Sequence, residues 1–145
     1  MVESGSMSVA TLKMKTKKDE SPMLRFVVQE HNATRLHWDF RLEMDGVLRS
    51  WAVPKTPPTK PGMRRLAVEV EDHDLDYIDF EGTIPEGEYG AGTVEIWDRG
   101  TYKLESRKPD KLVFELYGER MKGRYVLLNF TDKAENWLLF KTKNA

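Results

Sequence analysis

The 145-residue chain has three histidines, His31, His37 and His73, and the first two lead to Asp39 in the spacing H-x5-H-x-D. Two neutral imidazoles and a carboxylate suit a divalent transition ion, and three such ligands leave positions open for an oxygen of substrate. Arg41 follows two residues later. A guanidinium beside a metal-binding carboxylate is suited to gripping a phosphoryl oxygen bidentately while charge builds in the transition state. A plain ion pair with Asp39 or Glu43 is the structural alternative. The stretch VEDHDLDY supplies His73 and Tyr77, two further donors for a phosphate or a leaving group. A lone histidine is more often structural than catalytic, so His73 depends on the fold to bring it in.

These residues need a strand to line them up. From Leu36 to Met44 apolar and polar residues alternate, with Leu36, Trp38, Phe40, Leu42 and Met44 on one face and His37, Asp39, Arg41 and Glu43 on the other. Period two is the mark of a half-buried β-strand. Side chains on one face of a strand stand about 7 Å apart, so His37, Asp39 and Arg41 form a row. His31 is expected to swing in from the end of the preceding strand, across the Asn32-Ala33-Thr34 connection.

The rest of the chain reads as more short strands. Expected are Arg25 to Glu30, Leu36 to Met44, an Asp45-Gly46 hairpin turn, and the return strand Val47 to Val53. Pro54 to Gly62 is a stiff loop, because proline donates no ladder hydrogen bond. Strands resume at Leu66 to Glu71, around Tyr77 to Phe80, at Gly92 to Asp98, Tyr102 to Glu105, Lys111 to Tyr117, Arg124 to Phe130 and Trp137 to Lys141. Such spacing without a long helix predicts an all-β fold: a small antiparallel barrel of about eight strands, with short peripheral helices or loops. Residues 1–23, which include Lys13, Lys15, Lys17 and Lys18, read as a flexible basic arm, and residues 24–145 as one domain.

Composition narrows the chemistry. There is no cysteine, which excludes disulfides, thiolate metal sites and thiol nucleophiles. No apolar run reaches membrane-span length and no signal-peptide core opens the chain, so a cytoplasmic monomer is expected. The net charge of −1 conceals an asymmetry: Leu66 to Asp98 holds eleven acids and no Lys or Arg, whereas the preceding loop region carries Arg49, Lys55, Lys60, Arg64 and Arg65. A stiff basic loop can cradle phosphates, and equally can be a solvated face pairing with the acidic stretch. Pro85 to Thr93 is read as turn chemistry, since it lacks the Lys-Ser/Thr of a phosphate-binding P-loop. Trp51, Trp97 and Tyr89 are able to stack on a base, but aromatics in β chains are usually core and are assigned there.

The segments QEHNATRLHWDFRLEMDGVLRSWAVPK, RLAVEVEDHDLDY and EGTIPEGEYGAGTVEIWDRG together resemble the phosphoesterase domain of bacterial DNA ligase D and its stand-alone relatives, from about Arg25 onward. The resemblance implies a manganese-dependent β-barrel enzyme that trims DNA or DNA/RNA 3' ends for end joining, alongside a DNA ligase and a polymerase. It implies removal of a terminal ribonucleoside and then of the 3'-phosphate. The implied metal ligands are His31, His37 and Asp39, with cobalt, zinc or nickel chemically able to replace manganese. The implied phosphate contacts are Arg41, His73 and Tyr77, with Arg41 and His73 catalytic, and Lys55 and Arg65 are implied as further substrate-binding cations. The arm TKKDESPM departs from the family's Arg-Asp-Phe and Thr-x-Glu-Pro pattern, which bears on the ribonucleoside step.

Two rival readings remain at the level of sequence. A non-heme iron oxygenase would use His37, Asp39 and His73 and leave His31 dispensable. A noncatalytic barrel that binds nucleic-acid ends would use the polar face only as a phosphate pocket.

Overall fold

The computed structural model describes residues 22–143, so the basic arm expected over 1–23 lies, but for Pro22 and Met23, outside the described residues. Among the described residues nine strands run in chain order: β1 Leu24–Asn32, β2 Leu36–Met44, β3 Val47–Val53, β4 Arg64–His73, β5 Gly82–Ile84, β6 Gly92–Lys108, β7 Lys111–Tyr117, β8 Lys122–Asn129 and β9 Asn136–Lys141. Neighbours follow the order β1-β2-β3-β4-β9-β8-β7-β6-β5, all antiparallel, and β1 also pairs with β6. That pairing closes an eight-stranded barrel, with β5 added outside on β6. The all-β antiparallel barrel is therefore as expected. Among the described residues no helix is long and apolar enough to cross a membrane.

Local chemistry explains the hairpin that carries the site. Asp45 and Gly46 both take positive φ, +56° and +84°, as a two-residue type I′ turn demands. The turn sets Met44 opposite Val47, and with it the whole β2–β3 register down to Trp38 opposite Val53. The inward face of β2 fills the barrel with Trp38, Phe40, Leu42 and Met44, packed against Phe26, Trp51, Phe114, Tyr125 and Trp137. An eight-stranded barrel can be filled by side chains, and this one is, so its interior is core. The proline-rich segment runs across one end of this core. Pro57 and Pro58 are buried, and Tyr125 Oη donates to the Pro58 carbonyl at 2.8 Å.

Three expectations need correction. The segment around Tyr77 to Phe80 is not a strand but part of a 3₁₀ helix, Leu75–Asp79, held by Tyr77 N–H to Asp74 O and Phe80 N–H to Tyr77 O, both 3.0 Å. The reason is visible in LDYIDF: positions three apart share a side of a 3₁₀ turn. Leu75 and Ile78 join one small apolar cluster, and the Tyr77 and Phe80 rings stack at 4.9 Å. The two strands expected over Gly92 to Glu105 are one, the 17-residue β6, which pairs first with β1 and then with β7. The first strand runs past its expected end at Glu30, so that His31, its penultimate residue, is laddered directly opposite His37.

Candidate functional site

The site occupies the outer face of the β1–β4 wall, where alternation points away from the core. β1 presents Val27, Gln29 and His31; β2 presents His37, Asp39 and Arg41; β3 presents Leu48, Ser50 and Ala52. The ladders place His31 opposite His37, Gln29 opposite Asp39, and Arg41 opposite Ser50. His73 reaches this face through an irregularity. Between the pairs Ser50↔Val70 and Leu48↔His73, β4 has two intervening residues where β3 has one. The extra residue is a β-bulge, and it reverses the alternation so that His73 falls on the face of Val70 instead of the opposite one. The 3₁₀ helix then roofs the wall: Ile78 is buried on Val27 and Leu48, and Gln29 Nε2 donates to the Tyr77 and Phe80 carbonyls at 2.9 and 3.2 Å.

Under that roof His31, His37 and Asp39 bring one ligand atom each to within 4.8 Å of one another. His31 Nδ1 lies 3.5 Å from Asp39 Oδ2, and His37 Nε2 lies 3.2 Å from Asp39 Oδ1. Each imidazole has its remote nitrogen engaged by main chain. His31 Nε2–H donates to Gly90 O at 2.7 Å, and His37 Nδ1–H to Arg35 O at 3.1 Å. A carbonyl only accepts, so these bonds place a proton on His31 Nε2 and His37 Nδ1 and leave His31 Nδ1 and His37 Nε2 facing Asp39, where each can carry a proton to the carboxylate or, without it, offer a lone pair to a metal ion. That outer-shell arrangement is how metal-ligating histidines are usually oriented. The donor set therefore fits a divalent ion.

Arg41 is almost wholly buried and mostly engaged. Its Nε donates to Gln29 Oε1 at 2.6 Å, Nη1 to Ser50 Oγ at 2.8 Å and His73 Nδ1 at 3.1 Å, and Nη2 lies 3.4 Å from Asp39 Oδ2. Of five guanidinium N–H groups, four are taken by these contacts and one remains. The bidentate grip expected from sequence requires Arg41 to release Asp39 or His73. Its guanidinium also sits 4.9 Å from the centre of the Tyr77 ring, which lies 4.8 Å from that of His73.

These contacts shift the titrating groups in different directions. The hydrogen bond to Asp39 raises His37 above the ordinary histidine value, against the opposing effect of burial. Burial pushes Asp39 up, but the His37 hydrogen bond and the Arg41 charge outweigh it and hold the carboxyl below its usual range. Burial, reinforced by Arg41, pulls His73 down, so it is neutral at pH 7. Glu71 O also lies 3.2 Å from His73 Nδ1. Accepting from Arg41 at Nδ1 places the ring proton on Nε2, whereas donating to the Glu71 carbonyl places it on Nδ1.

The cavity over these groups measures about 870 Å³, and its wall includes His31, His37, Asp39, Arg41, His73 and Tyr77. Lys55 and Arg65 are not in that wall. Lys55 is exposed two residues beyond β3, and Arg65 Nε donates to Thr56 O at 2.7 Å. Gln29 and Ser50, which hold Arg41, are not singled out by sequence reasoning. Signals for both exist: Gln29 is two residues before His31 on one strand, and the Asp45-Gly46 turn alone sets Arg41 opposite Ser50.

Residues 29–129 match the family model described as the DNA ligase D 3'-phosphoesterase domain. The chain belongs to this 3'-phosphoesterase family. It is 51% identical over 138 residues to the multifunctional non-homologous end joining protein LigD of Pseudomonas aeruginosa, an alignment covering 90% of this chain. Identity to the multifunctional non-homologous end joining DNA repair protein LigD of Mycobacterium tuberculosis is 50% over 123 residues, or 82% of the chain. To the LigD of Mycolicibacterium smegmatis it is 47% over 131 residues, or 83% of the chain. The chain spans only 16%, 16% and 17% of the length of these relatives. The family match thus covers the residues brought together at the site, His31, His37, Asp39, Arg41, His73 and Tyr77.

Proposed function

We propose that this phosphoesterase-family chain is a metal-dependent hydrolase of DNA 3' ends, removing a 3'-phosphate to leave a 3'-hydroxyl and also removing a 3'-terminal ribonucleoside. It would act on ends in repair by end joining, together with a DNA ligase and a polymerase. The observation that carries the reading is the pair of main-chain hydrogen bonds of His31 and His37, which turn one nitrogen of each ring onto Asp39.

His31, His37 and Asp39 would hold the ion, manganese by family resemblance, and the ion supplies a Lewis acid for a non-bridging phosphate oxygen. Arg41 directs its remaining N–H at a second phosphate oxygen, and Gln29 and Ser50 hold it in place. His73, accepting from Arg41 at Nδ1, offers Nε2–H to the same phosphate as a hydrogen-bond donor. The lowered basicity of His73 beside Arg41 bears on the proton-donor role expected for it from sequence, which a pH–rate profile on the 3'-phosphate tests. A water oxygen bonds to phosphorus as the P–O3' bond breaks. The two protons of that water end on the 3'-hydroxyl and on inorganic phosphate. Tyr77 lines the pocket beside His73, and the exposed Lys55 and the half-buried Arg65 would contact phosphates farther along the strand.

The test is a primer-template ending in 3'-phosphate, incubated with the protein and manganese and examined for the 3'-hydroxyl product. A second primer ending in a single ribonucleotide tests the other activity. Binding without turnover, with Asp39→Ala binding as well as the parent, would instead identify an end-binding protein.

A further inference from the structure

The floor of the cavity accounts for a phosphate, but a volume of about 870 Å³ is of the order that holds a whole nucleotide. The same cavity is also lined by the apolar Ala33, Val70 and Ile84 and by the fully exposed Tyr89. Sequence reasoning assigns Trp51, Trp97 and Tyr89 to the core. Trp51 is there, and Trp97 packs partly against it under Arg120, but Tyr89 is fully exposed.

We infer that Tyr89 is a stacking platform for the base of the 3'-terminal nucleotide, and so a specificity-determining residue for ends that carry a base. The inference rests on the 3'-end reading above and adds the part of the substrate beyond its phosphate. A tyrosine ring offers a large, stiff surface with few rotors to immobilise, and stacking accepts any base.

The loop beneath the ring is built to hold it. Two successive turns close through Glu88 N–H to Pro85 O at 3.2 Å and Ala91 N–H to Glu88 O at 3.1 Å. Each has glycine at its third position, Gly87 with φ +91° and Gly90 with φ +79°, as type II turns require. The carbonyl of Gly90, the residue after Tyr89, accepts the hydrogen bond from His31 Nε2. The main chain beside Tyr89 is thereby tied to a metal-ligand candidate through one contact, which sets the ring's point of attachment next to the phosphate site.

The experiment uses the full chain and a duplex whose strand ends in 2-aminopurine 3'-phosphate, with a matched duplex ending in an abasic 3'-phosphate. Stacking predicts fluorescence quenching by the parent and by Tyr89→Trp. Tyr89→Ala should show no quenching and a KM about tenfold higher on the base-bearing end, with kcat unchanged and no change on the abasic end. Quenching by Tyr89→Ala equal to that of the parent, or equal KM effects on both ends, overturns the inference. A parent that quenches but releases phosphate from neither end refutes the hydrolytic reading and leaves the stacking intact. A parent that releases phosphate regardless of residue 89 does the reverse.

Discussion

His31 and His37 face each other across the β1–β2 ladder with ring centroids 4.7 Å apart, and the carboxylate of Asp39 is shared between them. An isolated strand face would show a histidine and an aspartate in a row. Pairing two strands converts that row into a three-ligand cluster.

The ion-free protein should show opposite shifts at His37 and His73. NMR titration should place His37 above the ordinary value of 6.5 and His73 below it. By linkage, the raised His37 contributes stability that is fully present below pH 6.5 and lost as pH rises through its folded pKa. The depressed His73 contributes stability present above pH 6.5 and lost as pH falls through its folded pKa. Zinc should abolish the His37 titration and leave that of His73. Identical titration of both residues, with or without zinc, would contradict the site geometry.

Gln29 should matter to turnover without touching the ion. Gln29→Ala removes the acceptor of Arg41 Nε and the tether to the 3₁₀ helix at Tyr77 and Phe80. Leaving a buried charged donor unpaired costs on the order of 1–3 kcal/mol, so kcat/KM for a 3'-phosphate should fall roughly tenfold or more. Calorimetric metal affinity should stay at the parent value. A variant that loses metal affinity and activity in parallel would show that Gln29 supports the ligands instead.

Away from the site, Asp98 is a buried carboxylate accepting four backbone N–H groups: Arg99 and Glu119 on Oδ1, Arg120 and Met121 on Oδ2. Asp98→Ala leaves all four without that partner and should destabilise the fold by on the order of 3 kcal/mol or more. Asp98→Asn should fall in between, since its amide group meets two donors. Urea denaturation measures this as a shift in midpoint at constant slope. A midpoint unchanged in Asp98→Ala would refute the assignment.

Gly92 begins β6 with φ +138°, and an added Cβ would collide with the Asn32 carbonyl. The collision is with backbone, which cannot swing aside. Gly92→Ala should therefore lower the thermal midpoint by several degrees, as expected for a loss of about 2 kcal/mol in a domain of this size. Parent-like melting would show that β1 and β6 separate readily at this end.

Much of the site can be traced to period two and one turn. Alternation in Leu36–Met44 sorts Asp39 and Arg41 from the core residues, and the two-residue Asp45-Gly46 turn sets the register that brings Ser50 to Arg41. His73 is different. Alternation along β4 would put it on the inner face, and the bulge that reverses it is set by pairing with β3, not by local sequence. The 3₁₀ helix reads as a strand because the apolar Ile78 and Phe80 lie two residues apart with Asp79 between them. Tyr89 breaks the expectation that aromatic residues in β chains are core, because it lies not in a strand but in a pair of turns lining the cavity.

On the proposed reading, one ion on His31, His37 and Asp39 drives hydrolysis of a 3'-phosphate. Manganese binding and phosphate release should be measured on the same samples as manganese is titrated into the parent protein and Asp39→Ala. The rate in the parent should rise with occupancy and saturate at one ion per chain, and Asp39→Ala should neither bind the ion tightly nor turn over. Phosphate release by the parent in excess chelator, or by Asp39→Ala at the parent rate, would contradict it.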